Sequence, residues 1–509
     1  MKKYIIILIL SFTSFSFYSC EDAYEEIEPI GLLDEEAAFY TIEEVQMVLN
    51  DLYLQLNNSN DMYFTAIFTD ETKPGPSYNG TQRDIHNFIL NSTTGESEEI
   101  WYDWHRTVNR ANRLINGVVH TQIIGVTQQE IDQNQAKLDN MVAQAKFIRA
   151  YAYLSLVSYF SPDMKDNNAL GGILFTHVPV SNEMLPRATN GEIYQQIEED
   201  LNWAFSNLDS SNPFYYGNKA AVEALFARMY AYRGLYGQAR TYAQNVVNNY
   251  GLSLTPGTPY EASNFYHYTN TTNPYRKIWV DAPSGTFPSD QLENVFSLQT
   301  MLSNAGFAPA SYFYANATRI QGSPLWGMGL NLYNALTETP TDVRQFAFVD
   351  PTTDLSINAI MIDKYPGISG GGGQLRNNLK LIRLSEMYFI LAEAAVSESN
   401  LTQAADYLYQ VRVARSTDGT AIAPSFGSVT DAWAGVLHER RKELCFEGHR
   451  YIDLRRLGAL ANQSIDRNPI DNEVESQATT LPITDHRFTL PIPFSELSVN
   501  PNVQQNPGY

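Results

Sequence analysis

Few residues in this chain carry the spacing of a reactive site. Gly367-Ile368-Ser369-Gly370-Gly371 satisfies the G-x-S-x-G nucleophile elbow as a string. That elbow needs a strand before it and a helix after it. Pro366 and a run of glycines offer neither, so a flexible loop is expected. His438-Glu439 begins like a zinc-protease helix, but Lys442 stands where the second histidine must be. Asp163, Asp166, Asn167 and Asn168 suggest a calcium loop only loosely, because Lys165 breaks the alternation of oxygen ligands. A solvated turn is expected there. No sequence motif marks a pair of carboxylates as an acid–base couple. The expectation is no catalytic residue, no metal site and no cofactor.

Binding chemistry is better supplied. A pyranose has an apolar C–H face and a rim of hydroxyls, so its site needs flat rings beside planar polar groups. Two regions carry both. One runs from Asp70 to Trp104 and contains Glu71, Lys73, Tyr78, Arg83 and Trp101. The other holds Tyr266, Tyr268, Trp279, Tyr312, Tyr314 and Trp326. The expected ligand contacts are Asp70, Arg83, Trp101, Trp104, Trp279, Tyr312, Tyr314 and Trp326. Trp101 and Trp104 also fit the buried stripe of a helix.

Cys20 has a chemical role set by position. Lys2 and Lys3, an apolar run from Tyr4 to Leu10, and Ser19 precede it, which is the layout of a bacterial lipoprotein signal. Phe17 departs from the usual small aliphatic residue of the cleavage motif. The apolar run is too short to span a bilayer. Residues 1–19 are expected to be removed and Cys20 to carry lipid. Residues 20–38 then form an acidic tether: no Lys or Arg occurs from Glu21 to Thr72, while Glu21, Asp22, Glu25, Glu26, Glu28, Asp34, Glu35 and Glu36 crowd its start. Anionic headgroups repel such a segment and keep the body clear of the membrane.

The 509 residues carry a formal charge of −22, which excludes nucleic acid as a partner because phosphate neutralisation needs clustered cations. With Cys20 lipidated, Cys445 has no disulfide partner and reads as a small buried hydrophobe.

The elements that must position these residues are mainly helices. Ile100–Gly117 is amphipathic, and Asn134–Phe160 is a long helix stopped by Ser161-Pro162. Lys219–Gly234 and Gln238–Tyr250 form a helix pair in which Ala227-x2-Tyr230 and Ala239 have tetratricopeptide spacing. Leu384–Ser397 and Thr402–Arg415 repeat it around Tyr388, Ala392, Ala394 and Ala404. Such pairs must stack to bury their apolar faces. The fold class expected is mainly α: a tetratricopeptide-like helical scaffold with an irregular, loop-rich ligand-binding lobe containing little β. The helical regions are 39–251 and 381–509, and the lobe is 252–380.

Specific strings then match a family. They are Thr189-x2-Glu192-Ile193-Tyr194, Leu381-Ile382-Arg383-Leu384-Ser385-Glu386, Glu439-Arg440-Arg441-Lys442-Glu443-Leu444, Phe446-Glu447-Gly448-His449-Arg450-Tyr451-x-Asp453-Leu454-x-Arg456, and the terminal Gln505-Asn506-Pro507-Gly508-Tyr509. In this order they resemble the SusD/RagB family of Bacteroidetes outer-membrane lipoproteins. The resemblance implies a non-catalytic surface protein that captures oligosaccharides, or peptides in the RagB branch, and caps a SusC-like TonB-dependent transporter. It implies an outer-membrane location facing the exterior, with the membrane touched only through the lipid. A surface glycosidase is the rival from another class. The acids and arginines of 439–456 are expected to pair and lock helices together rather than to catalyse.

Overall fold

The computed structural model describes residues 37–180, 182–258, 273–281, 291–299, 324–366, 377–472 and 477–509. Cys20, the signal at 1–19, the tether up to residue 36, Tyr266, Tyr268, Tyr312, Tyr314 and the Gly367 elbow lie outside them.

In chain order the main elements are α1 (Ile42–Gln55), α2 (Ser59–Phe68), β1 (Thr72–Pro74), α3 (Gly95–Gly117), α4 (Gln128–Phe160), β2 (Leu170–Ile173), β3 (Arg187–Thr189), α5 (Asn190–Asn207), α6 (Lys219–Tyr232) and α7 (Tyr236–Asn249). Then follow β4 (Asn294–Leu298), β5 (Trp326–Met328), α8 (Leu330–Thr337), α9 (Val343–Phe348), β6 (Leu379–Arg383), α10 (Leu384–Ser397), α11 (Leu401–Arg415), α12 (Val429–Leu444) and α13 (Arg450–Ala461). The chain is mainly helical. Among the described residues, the named strands form only two-stranded antiparallel pairs, β1 with β5, β2 with β3 and β4 with β6.

The helices follow from their sequences. In α4 the Thr127 side chain accepts from the Glu130 amide while Glu130 reaches back to the Thr127 amide, a capping box that starts the helix six residues before its apolar pattern does. Its second half, from Met141 to Phe160, is buried on nearly every side, and it stops at Ser161, whose successor is proline. In the packed pair α6–α7, Ala227, Ala239 and Ala243 are all fully buried, small residues that allow the two backbones a close approach. Tyr230 stacks above them on Phe226 and Tyr242, with centroids at 6.1 and 5.8 Å. Helix α10 packs on both α7 and α11, which joins the two predicted pairs into one continuous stack.

A lattice of buried charge runs through the centre. The predicted pairing of 439–456 is present, but most partners come from elsewhere in the chain. The segment spans two helices, since Phe446 and Gly448 turn the chain with φ of 61° and 86°. Glu443 accepts from Arg383 at 2.7 Å, Arg415 at 2.8 Å and Arg344 at 3.3 Å. Glu447 takes Arg383 and Lys364, each at 2.7 Å. Glu439 takes Arg344 at 2.6 Å and Arg412 at 2.7 Å. Arg456 forks onto Glu393 at 2.8 and 2.9 Å, and Arg440 reaches Asp453 at 2.8 Å. Burial opposes ionisation of Glu443, yet the Arg415 and Arg383 guanidiniums hold its carboxyl well below the usual carboxylate range. Cys445 lies within this region, buried as expected, and burial pushes its thiol up to about 12.

Removing one charge from such a lattice leaves the others buried without a partner. Glu443→Ala should therefore lower the unfolding free energy by about 3–5 kcal/mol, read from denaturant or thermal melts. A loss under roughly 1 kcal/mol, the value typical of a surface pair, would show that the lattice is hydrated and unimportant.

Candidate ligand-binding face

The two aromatic regions marked in the sequence meet through one short ladder. Strand β1 pairs with β5 so that Thr72 faces Met328, Lys73 faces Gly327 and Pro74 faces Trp326. The contact continues past the strands: the Gly75 amide donates to Leu325 O at 2.7 Å, and the Ser77 amide to Pro324 O at 3.2 Å. A Cβ on Gly75 would lie 2.5 Å from Pro324 O, so only glycine permits this approach. Trp326 is thereby laid under the loop that follows β1. Its ring sits 4.9 Å from that of Tyr78 and 5.1 Å from that of His86.

Above Trp326 lies a half-exposed rim. Tyr78 is partly exposed, and Asn79, Arg83 and Asp84 are exposed. Arg83 stands on the short helical turn Arg83–His86, whose entry at Gln82 has φ 61°. The turn is braced from below. Arg467 donates to Thr69 O at 2.7 Å and Phe68 O at 2.7 Å, which caps the end of α2, and it also donates to His86 O. Gln477 Nε2 donates to His86 Nδ1 at 2.8 Å. Burial, with Arg467 nearby, keeps the imidazole neutral. Lys73 pairs with Asp471 at 3.0 Å and donates to Asn358, tying the ladder to the C-terminal region. A ring, an amide, a guanidinium and a carboxylate thus reach the surface within residues 78–84, the combination a sugar or polar peptide needs.

The predicted contacts divide sharply. Arg83 is on the rim. Trp326 is beneath it, fully buried. Asp70 is not on the surface at all: it accepts from Nε and Nη2 of Arg450, each at 2.8 Å, and from the Asp466 amide at 3.0 Å. Burial would raise its pKa, but Arg441 and Arg450 override that and hold the carboxyl well below the usual range. Trp101 and Trp104 form the buried stripe of α3. Trp101 packs edge-on against Phe160 at 4.8 Å, and Trp104 Nε1 donates to Asp61 at 3.1 Å. Trp279 is sealed between Phe348 and Tyr365, with the Lys364 ammonium 4.6 Å from its ring centre. In this conformation these rings present no face to a ligand. Their amphipathic or apolar settings serve the core, and Asp70 serves the charge lattice.

The weaker motifs resolve simply. At 163–168 the Asn190 side-chain amide donates to the main-chain oxygens of Asp163 at 2.8 Å and Asp166 at 2.9 Å, while the Asp163 and Asp166 carboxylates accept the Lys165 and Asn168 amides. His438 meets Glu338 at 3.1 Å, and Glu439 is committed to arginine. Among the described residues, no group of three or more His, Cys, Asp or Glu could hold a metal, and no helix is long and apolar enough to cross a membrane.

Known proteins share this fold. A SusD family model matches residues 333–509, and a model described as starch-binding associating with outer membrane matches residues 33–231. The chain belongs to the SusD/RagB family. SusD-like protein P2 of Formosa agariphila is 24% identical, with both chains covered in full. A SusD superfamily crystal structure from Bacteroides thetaiotaomicron superposes with a TM-score of 0.72 at 25% identity, covering 92% of this chain and 100% of that one. A SusD-like carbohydrate binding protein from Bacteroides vulgatus gives a TM-score of 0.68 at 19% identity, covering 91% and 98%. The stretch between the two SusD/RagB matches, 232–332, holds Trp279, Tyr312, Tyr314 and Trp326.

Glu71, next to Asp70, gives this face a pH dependence. Burial pushes its carboxyl up to about 8, opposed by the Phe446 amide hydrogen bond and reinforced by the Asp70 charge. The folded state favours the protonated acid, so this contribution to stability is complete below the ordinary value of 4.5 and is lost as pH rises through about 8. Within that window the loss approaches roughly 1.4 kcal/mol per pH unit. Glu71→Gln, which keeps the neutral form, should gain on the parent protein in melting temperature from pH 5 to pH 8.5. A gap independent of pH would refute this.

Proposed function

We propose that this chain is a cell-surface binding lipoprotein that captures oligosaccharides and delivers them to a SusC-like TonB-dependent transporter in the outer membrane. Export and lipidation at Cys20 would anchor it facing the exterior, with the acidic tether keeping the body off the headgroups. The observation that carries the reading is the β1–β5 ladder. It lays Trp326 against the Tyr78 ring beneath a loop on which Arg83 is exposed. Family membership and the likeness to a SusD-like carbohydrate binding protein support it.

The role is binding rather than catalysis. Glu439, Glu443, Glu447 and Asp453 are each held ionised by cations, which removes them as proton donors near neutral pH. Capture at the surface raises the local ligand concentration at the transporter, and release into it completes the task.

Calorimetry against a panel of oligosaccharides and peptides tests the ligand class. At least one oligosaccharide should bind saturably, and Arg83→Ala, at an exposed position, should weaken it about tenfold, a loss of ~1.4 kcal/mol, without moving the melting temperature. Binding by peptides alone would select the RagB-type alternative. Turnover of a bound oligosaccharide, abolished by one carboxylate substitution, would restore the glycosidase. Cys20→Ser should keep ligand affinity and lose membrane attachment in cell fractionation; a variant that stays in the membrane fraction would contradict the anchor.

A further inference from the structure

A cavity of about 300 Å³ opens where the loop after α4, the middle of α13 and the segment 483–489 come together. That is the lower end of the roughly 300–1,000 Å³ range of small-molecule sites. None of its lining residues belongs to the Tyr78–Arg83 face. Its walls mix apolar and cationic groups: the buried rings of Tyr232 and Phe488, then Pro162, Lys165, Arg455 and Arg456.

The charges around it do not cancel. Arg456 is neutralised by Glu393 and Asp453. Asp485 is neutralised by Arg487, which holds it at 2.8 and 2.7 Å. Arg455 differs, because its guanidinium donates only to neutral oxygens: Ser158 O, Ser161 O and Thr489 Oγ1. Those two carbonyls belong to the end of α4 and offset the charge only in part. Among the described residues, Lys165 has no carboxylate within ion-pair distance. Its stem would lie 3.5 Å from a Cβ on Gly234, and the residue lines the cavity. Partial burial and the neighbouring Arg456 both press that ammonium below its ordinary pKa. The opposing acid is Asp163, exposed at the rim, where Oδ1 accepts the Lys165 amide at 2.8 Å. On a protein of charge −22, a cavity with two cations against one acid is a local reversal of sign.

We infer that this cavity binds a single anionic group, carboxylate or sulfate, carried on a ligand of about monosaccharide size. Lys165 and Arg455 attract the anion, and Pro162, Ile483 and Pro507 give the rest of the ligand an apolar border. Arg455 also caps α4, so its removal would disturb the fold. Lys165 and Asp163 are exposed and give the cleaner test.

The experiment titrates the intact mature chain with glucuronate, glucose and inorganic sulfate, following backbone amide shifts or heat. Glucuronate should bind saturably and more tightly than glucose, and weaken with added salt. Lys165→Glu should abolish binding. Lys165→Ala should weaken it, and Asp163→Asn tighten it, each by about three- to tenfold for one charge at this distance in a partly solvated site. Equal binding of glucose and glucuronate, or binding indifferent to Lys165→Glu, would overturn the assignment. Binding of sulfate without glucuronate would reduce the site to a free oxyanion and overturn its saccharide half. An unchanged melting temperature for both Lys165 variants separates loss of the site from loss of the fold.

Discussion

The structure depends on the requirement that every buried charge in its centre be answered. Arg383 alone joins three acids: Glu293 at 2.6 Å, Glu443 at 2.7 Å and Glu447 at 2.7 Å. Arg415 answers two of the same set from α11. A hydrophobic core of equal volume would hold helices together as well or better, since desolvating these ions cancels most of their attraction. What ions add is geometry. A guanidinium fork satisfies carboxylates only in one plane and at one distance, so α10, α11 and α12 have a single way to meet.

That constraint reaches into the segment between the two helical regions. Arg344 comes from α9, Lys364 and Asp363 from the chain after it, Arg276 from before β4, and Glu293 from its threshold. Arg276 reaches Asp363 at 2.8 Å, while Arg344 and Lys364 end on α12 and the turn beyond it. Segments poor in regular structure are thus fixed to the scaffold by charge where they lack helices to pack. Such fixation holds the floor of the face, Trp326 and the ladder beneath Tyr78, in place without a large sheet.

Much of the fold was legible. Leu384–Ser397 was readable to both ends because apolar periodicity fills the whole helix. Helices α3 and α4 begin earlier than expected, at Gly95 and Gln128, because their first turns are polar and solvated and carry no periodic signal. The Thr127–Glu130 pair was the cue that went unused. The site was less legible for a physical reason. Residue type marks which groups can contact a sugar, but exposure decides which do. Trp101 and Trp104 have the same spacing whether a stripe faces core or ligand. Asp70 looked available because its partner Arg450 lies 380 residues away, and no local pattern records a contact at that separation. Arg467 and Gln477, which brace the Tyr78 loop, were missed for the same reason.

The ladder between β1 and β5 is made of main-chain groups, and main-chain hydrogen bonds are indifferent to the side chains they carry. Apart from the glycines that let the strands approach, the join imposes no sequence on the loops that lead into it. Loops of different sequence can therefore lead into the same join while the scaffold and its charge lattice stay as they are.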